Sequence, residues 1–232
     1  MVLSTAITRM LNIKHPILQG GMHYVGYSPL SAAVANAGGM GFITALTQPS
    51  PEALRAEIKK AKALLHPDAP GKLGVNLTIL PMFSKIDYKA YADVIVESGL
   101  NCVETAGRPP GDFVKRFQGE GMKVIHKCVS VRHAISAVEK SGVDAISLDG
   151  FECGGHPGEL DTGNFILQAL GGKVLGEMNI PFVCSGGVGT GSQLAAVLMM
   201  GASGVNLGTR FIATKEAPVR FTTENTDLSG IV

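Results

Sequence analysis

Eight short apolar runs, separated by helical stretches and glycine-rich turns, constrain this 232-residue chain more than any other feature. They are Pro16–Gln19, Met40–Thr44, Leu73–Thr78, Cys102–Thr105, Lys123–Cys128, Ala145–Asp149, Pro181–Ser185 and Gly204–Thr209. Short runs with little polar alternation read as strands covered on both faces. Strict strand–helix alternation predicts parallel pairing through right-handed crossovers. Eight such units are the number that closes a (β/α)8 TIM barrel, and that is the expected fold, as a single domain over residues 1–232. A doubly wound open sheet is the alternative, but it uses fewer repeats and carries its glycine fingerprint after the first strand. Here glycines follow the first, sixth, seventh and eighth runs.

The intervening helices have start and stop signals. Ser28 reads as an N-cap with Pro29 behind it, opening a helix through Ala37 that Gly38-Gly39 ends. Ser50-Pro51-Glu52 opens a helix to about Leu64, with Leu54, Ile58 and Ala61 on its buried face. Further helices are expected over Asp87–Ser98, beyond Pro110, over Ser130–Ser141, near Phe165–Leu175 and over Ser192–Met200. After the eighth run, Thr222–Asp227 is polar without helical periodicity. The closing helix is therefore expected to be short, displaced or absent, with an irregular tail from about 219 to 232.

Composition excludes several partners. Hydrophobic residues make up 45% and the net charge is +1, which provides a large core and no basic patch for nucleic acid or an anionic membrane. No apolar run approaches the ~20 residues of a membrane span. Cys102, Cys128, Cys153 and Cys184 are scattered and form no metal-type CxxC pair, so free thiols in a reducing, cytoplasmic setting are expected and no metal site is read.

Chemistry is expected where the strands end. Ser185-Gly186-Gly187 and Gly208-Thr209 follow the seventh and eighth strands, where barrels of this class often grip phosphate. Asn76, Thr78, Lys127 and Asp149 end the third, fifth and sixth strands. Lys127 lies in an otherwise apolar strand and needs an anion, either Asp149 or Glu104 in an ion pair, or a ligand. His156 sits after Gly154-Gly155 and before Pro157, a loop that admits a ligand closely and offers an imidazole for proton transfer or anion binding. His126 and His133 read as structural, His23 as a backbone contact, and Cys153 as packing rather than nucleophile. These residues fit a phosphate-bearing cofactor with an electron-rich ring, a phosphorylated substrate of an isomerase or aldolase, or a non-catalytic binding protein.

In combination, several segments resemble the FMN-dependent nitronate monooxygenase family, formerly called 2-nitropropane dioxygenases. They are Gln19-Gly20-Gly21-Met22, Gly74–Thr78, His126-Lys127-Cys128, Asp149–Glu159, Ser185-Gly186-Gly187 and Asn206–Phe211. The resemblance implies FMN held against Gly21, Met22 and His23, with Thr78, Lys127, Asp149 and Gly154 around the ring. It implies phosphate binding by Gly186, Gly187, Asn206, Gly208 and Thr209, and a catalytic role for His156. Relatives either oxidise alkyl nitronates with O2 or move electrons from NAD(P)H to quinones. Phe151–Glu159, Val131-Arg132-His133 and Thr47–Glu52 look like the quinone-reducing subgroup. A small-molecule substrate and a homo-oligomer are expected. Family members continue beyond the end of this chain with a last helix and a helical segment over the site, and the resemblance leaves that part uncovered.

Overall fold

The structure, a computed structural model, describes residues 3–80, 86–171 and 180–219. Its strands are β1 (Ile17–Gln19), β2 (Met40–Thr44), β3 (Lys72–Ile79), β4 (Cys102–Gly107), β5 (Lys123–Cys128), β6 (Ala145–Asp149), β7 (Phe182–Ser185) and β8 (Gly204–Leu207). Each pairs in parallel with the next, and β8 pairs back onto β1 through Leu18 opposite Asn206, so the sheet closes as a barrel. The helices are α1 (Ala6–Leu11), α2 (Ser28–Ala37), α3 (Pro51–Ala63), α4 (Tyr88–Glu97), α5 (Asp112–Gly119), α6 (Val131–Ser136), α7 (Thr162–Gly171), α8 (Gly191–Met199) and a short α9 (Thr209–Ile212). Among the described residues, no helix is long and apolar enough to cross a membrane.

Strand parity divides the core in two. Outward residues such as Val75, Val103, Val124, Ile146 and Phe182 pack beneath the helix ring with Leu54, Ile58, Ile95, Phe117 and Phe165. Inward residues at the strand starts, Met40, Cys102, Ile125, Ala145 and Val183, form a second cluster with Leu18 and Phe42. Ile7 and Leu11 of α1 complete that cluster, closing the end of the barrel where strands begin. The other end of the bore is polar.

Local signals mostly predict the elements. Ser50 caps α3 by accepting from Ala53 N at 3.2 Å, and Leu54, Ile58 and Ala61 are its buried face. Several details differ from expectation. Tyr27, not Ser28, is the cap residue of α2 and makes no side-chain bond; Ser28 N–H donates to Glu57 Oε1 on α3 at 2.8 Å. The first N–H of α2 is satisfied by a tertiary acceptor. The stretch Ser130–Ser141 starts as α6 and ends as a π-helical turn from Ala137. α8 starts at Gly191 because Thr190 and Gln193 make a capping box, and α7 starts three residues before the expected Phe165. α1 has no counterpart among the expected helices; Thr5 and Thr8 cap it reciprocally. The expected end of α7 near Leu175 and the tail beyond residue 219 lie outside the described residues.

Candidate functional site

Parity sends one set of polar strand-end residues inward, while Thr105 and His126, on the other parity, face outward. Asn76, Glu104, Lys127, Ser147, Asp149, Ser185 and Asn206 occupy successive strands in neighbouring register, with Asn76 opposite Glu104 and Lys127 opposite Ser147. Glu104 is fully buried and is the hub. Its Oε2 accepts from Gly21 N at 2.8 Å and Asn76 Nδ2 at 2.7 Å; its Oε1 accepts from Asn206 Nδ2 at 2.7 Å. Asn206 Nδ2 also donates to Ser147 Oγ at 3.2 Å, and Ser147 donates on to Asp149 Oδ1 at 2.9 Å. Lys127 Nζ closes the chain on Asp149 Oδ2 at 3.2 Å.

Two buried carboxylates thus share one cation. Burial alone would lower the pKa of Lys127, but Asp149 and then Glu104 raise it above the ordinary lysine value, so the ammonium stays charged. Burial raises the Asp149 pKa, with Lys127 opposing it and Glu104 adding to it. Such a pair costs desolvation unless its remaining bonds are made, and the Ser147–Asn206–Glu104 relay makes them.

Four loops meet above this network. After β1, Met22 N donates to Thr44 Oγ1 at 2.9 Å and that hydroxyl donates back to Met22 O at 3.0 Å. Thr47 Oγ1 accepts from Tyr24 N and lies 3.4 Å from His23 Nδ1, on a residue that is otherwise exposed. After β6, the loop from Gly150 to Asp161 is closed by Phe151 N on Leu160 O and Gly158 N on Gly150 O. Gly186 and Gly187, at φ 101° and 70°, follow β7. A Cβ on Gly186 would stand 2.7 Å from Cys153 N, so the β7 loop tucks directly beneath the β6 loop. A Cβ on Gly154 would meet Thr209 Oγ1 at 3.6 Å, and one on Gly208 would meet Met22 Sδ at 3.5 Å. Loops distant in sequence therefore meet at Gly154, Gly186 and Gly208. The residues present fit a phosphate-bearing group such as FMN: glycine backbone, the Thr209 hydroxyl, and a fixed cation below.

The expected site residues separate into groups. Gly154 lies over Thr209, Gly208 over Met22 and Gly186 against Cys153; Gly187 lies against Glu152, Gly21 against Asn76, and His23, on the β1 loop, beside Thr47. Lys127 and Asp149 are the ion pair beneath, and Thr78 donates to Asn76 Oδ1 at 3.1 Å at the edge of the network. The Asn206 side chain lies inside the barrel against Glu104 and Ser147, apart from Gly208 and Thr209. Its Oδ1 is buried without a partner, close to Gly20. His156 is exposed on the β6 loop and makes no side-chain hydrogen bond among the described residues. The Cys153 thiol lies 3.3 Å from Ser185 Oγ and is pushed up by burial, then by Asp149, which fits packing better than nucleophilic attack. Glu152 accepts from Thr162 N and Oγ1 at the start of α7. Glu104 is the residue that reading the sequence underrates. An acid within Cys102-Val103-Glu104-Thr105 was its signal, since a strand buried on both faces tolerates a carboxylate only where donors converge.

The family model for nitronate monooxygenase matches residues 4–228. The chain belongs to the nitronate monooxygenase family. A Staphylococcus saprophyticus protein named "Probable nitronate monooxygenase" is 31% identical over 94% of this chain and 70% of its own length. A Rhodococcus jostii protein named as a 5-hydroxy-7a-methyl-1-oxo-octahydroindene-4-carboxyl-CoA dehydrogenase is 34% identical over 94% of this chain. The chain spans 57% of that relative's length. Among solved structures, FabK from Thermotoga maritima superposes with a TM-score of 0.81 at 32% identity, over 94% of this chain and 65% of that one. A nitroalkane oxidase from Streptomyces ansochromogenes, at 24% identity and a TM-score of 0.78, shares the fold.

Proposed function

We propose that this nitronate monooxygenase family member is an FMN-dependent oxidoreductase that oxidises small alkyl nitronates with O2. The observation that carries the reading is the convergence of the β1, β6, β7 and β8 loops over a buried Lys127–Asp149 pair. Gly186, Gly187, Gly208 and Thr209 would hold the phosphate; Gly21, Met22, His23, Thr78 and Gly154 would border the ring. Bound FMN supplies an acceptor for the electrons leaving the substrate. Lys127, kept cationic by Asp149 and Glu104, holds positive charge where negative charge accumulates. His156, on the exposed β6 loop, binds the anionic nitronate and orients it.

A second reading keeps the cofactor and changes the partners, with NAD(P)H as reductant and a quinone as acceptor. The sequence Phe151–Glu159 favours it, because that loop resembles the quinone-reducing subgroup. One experiment addresses both. The purified protein is scanned for flavin absorbance, then mixed anaerobically with propionate 3-nitronate or with NADH. Rapid bleaching by the nitronate alone is expected; rapid bleaching by NADH moves the assignment to quinone reduction. A colourless protein that takes up no FMN on reconstitution ends both readings.

A further inference from the structure

β5 shows opposite faces to two different environments. Lys127 points into the bore, while His126 and Cys128 point outward beneath α6. His133 is the third residue of α6, and its backbone N–H is tied to the cap residue Ser130. That places His133 Nε2 2.9 Å from His126 Nε2. The donor atoms of His126, Cys128 and His133 all lie within 4.8 Å of one another. His126 and Cys128 are fully buried; His133 is half-buried, leaving a route from solvent.

The ring of His126 is oriented from behind. Thr105 Oγ1 lies 2.8 Å from His126 Nδ1 and 3.4 Å from the Ile125 carbonyl. With its proton on that carbonyl, the hydroxyl accepts from Nδ1–H, and this network assigns the His126 lone pair to Nε2, facing His133. An imidazole held this way through its second nitrogen is the arrangement that metal-binding histidines use.

We propose that His126, Cys128 and His133 form a binding site for a zinc-class divalent cation, joining β5 to α6 on the far side of the strand from the candidate flavin site. Two imidazoles and a thiol are a donor set that zinc accepts, with solvent in the fourth position. Tetrahedral zinc with bonds of about 2.0–2.3 Å needs donors about 3.3–3.6 Å apart, so the two rings must part by a few tenths of an ångström and the Cys128 sulfur must close on them by up to about 1.2 Å. On binding, the Cys128 thiol proton leaves to solvent and the His133 ring proton transfers from Nε2 to Nδ1. The site therefore gains one cation and releases one proton.

The full chain, with its flavin retained if present, is treated with a chelator, desalted and titrated with cobalt(II) and then zinc. Saturation at one equivalent is expected, with cobalt d–d bands to the red of flavin absorption that zinc abolishes. Zinc should raise the melting temperature. Cys128→Ser and His133→Ala should each remove the bands while the chelated variants keep their circular dichroism. Thr105→Val should weaken zinc binding by about 10- to 100-fold, the loss expected when a ligand's outer partner is removed. If His133→Ala does not fold, Cys128→Ser carries the same decision. Two results overturn the proposal: no cobalt bands in the parent protein, which leaves a plain His–His hydrogen bond, or bands that survive in the folded variants. Neither readout depends on turnover, so the functional reading stands or falls separately.

Discussion

Glu104 has the most demanding position of any single residue. Its two oxygens satisfy the backbone N–H of Gly21 and the amides of Asn76 and Asn206, so it ties the β1 loop to β3 and β8. Glu104→Ala would leave the Gly21 N–H and the Asn76 amide without this acceptor, Asn206 Nδ2 with only its Ser147 bond, and Lys127 with a single counter-charge. A loss of about 3–5 kcal/mol is expected, the scale for breaking a buried charged network, measured as a shift in urea midpoint. Flavin retention should fall with it, because the β1 loop loses its anchor. An unchanged midpoint would mean the network contributes little. His156 is the opposite case: exposed, without hydrogen-bond partners among the described residues, and so free of structural duty. His156→Asn should lower turnover with the preferred substrate by about a hundredfold, the scale for losing the group that positions the substrate. Melting temperature and flavin content should stay at parent values. Turnover equal to the parent would remove His156 from the chemistry.

The elements show where short-range patterns suffice and where they do not. α3 follows its signals, from the Ser50 cap to the Leu54–Ile58–Ala61 face. α2 departs from them: it begins one residue earlier than its signals suggest, and Glu57, distant in sequence, accepts from the Ser28 N–H at its first position. Gly41 illustrates a tertiary demand inside a strand. A Cβ there would stand 2.1 Å from the Ser31 carbonyl oxygen, so α2 lies directly on the backbone of β2. Gly41→Ala must push α2 off the barrel, at an expected cost of about 1–3 kcal/mol for overpacking, or more because the obstacle is backbone. Thermal unfolding measures it; a stability equal to the parent would contradict the close α2–β2 contact.

For the whole molecule, closure decides which groups solvent reaches. Cys102, Cys128 and Cys184 are fully buried, while Cys153 is partly exposed at the site. Burial pushes the Cys184 thiol up to about 12, and raises those of Cys102 and Cys128. Since the thiolate is the reactive form, iodoacetamide at pH 8 should label Cys153 first in the native protein and all four only after unfolding. Native labelling of Cys184 at the rate of Cys153 would mean the barrel opens readily. The eight runs, the strands they form and the barrel fold follow from the sequence alone, because periodicity, turn glycines and caps act over a few residues. The same holds for the strand-end residues Lys127, Asp149, Gly186, Gly187, Gly208 and Thr209, since a parallel barrel gathers strand ends on one side. Other features come from tertiary structure alone: Glu104 as the hub, the turn of Asn206 into the bore, the Tyr27 cap, and the meeting of His126, Cys128 and His133. Each depends on which face of a strand meets which neighbour, and that is set only when β8 pairs with β1 and fixes the register of the whole ring.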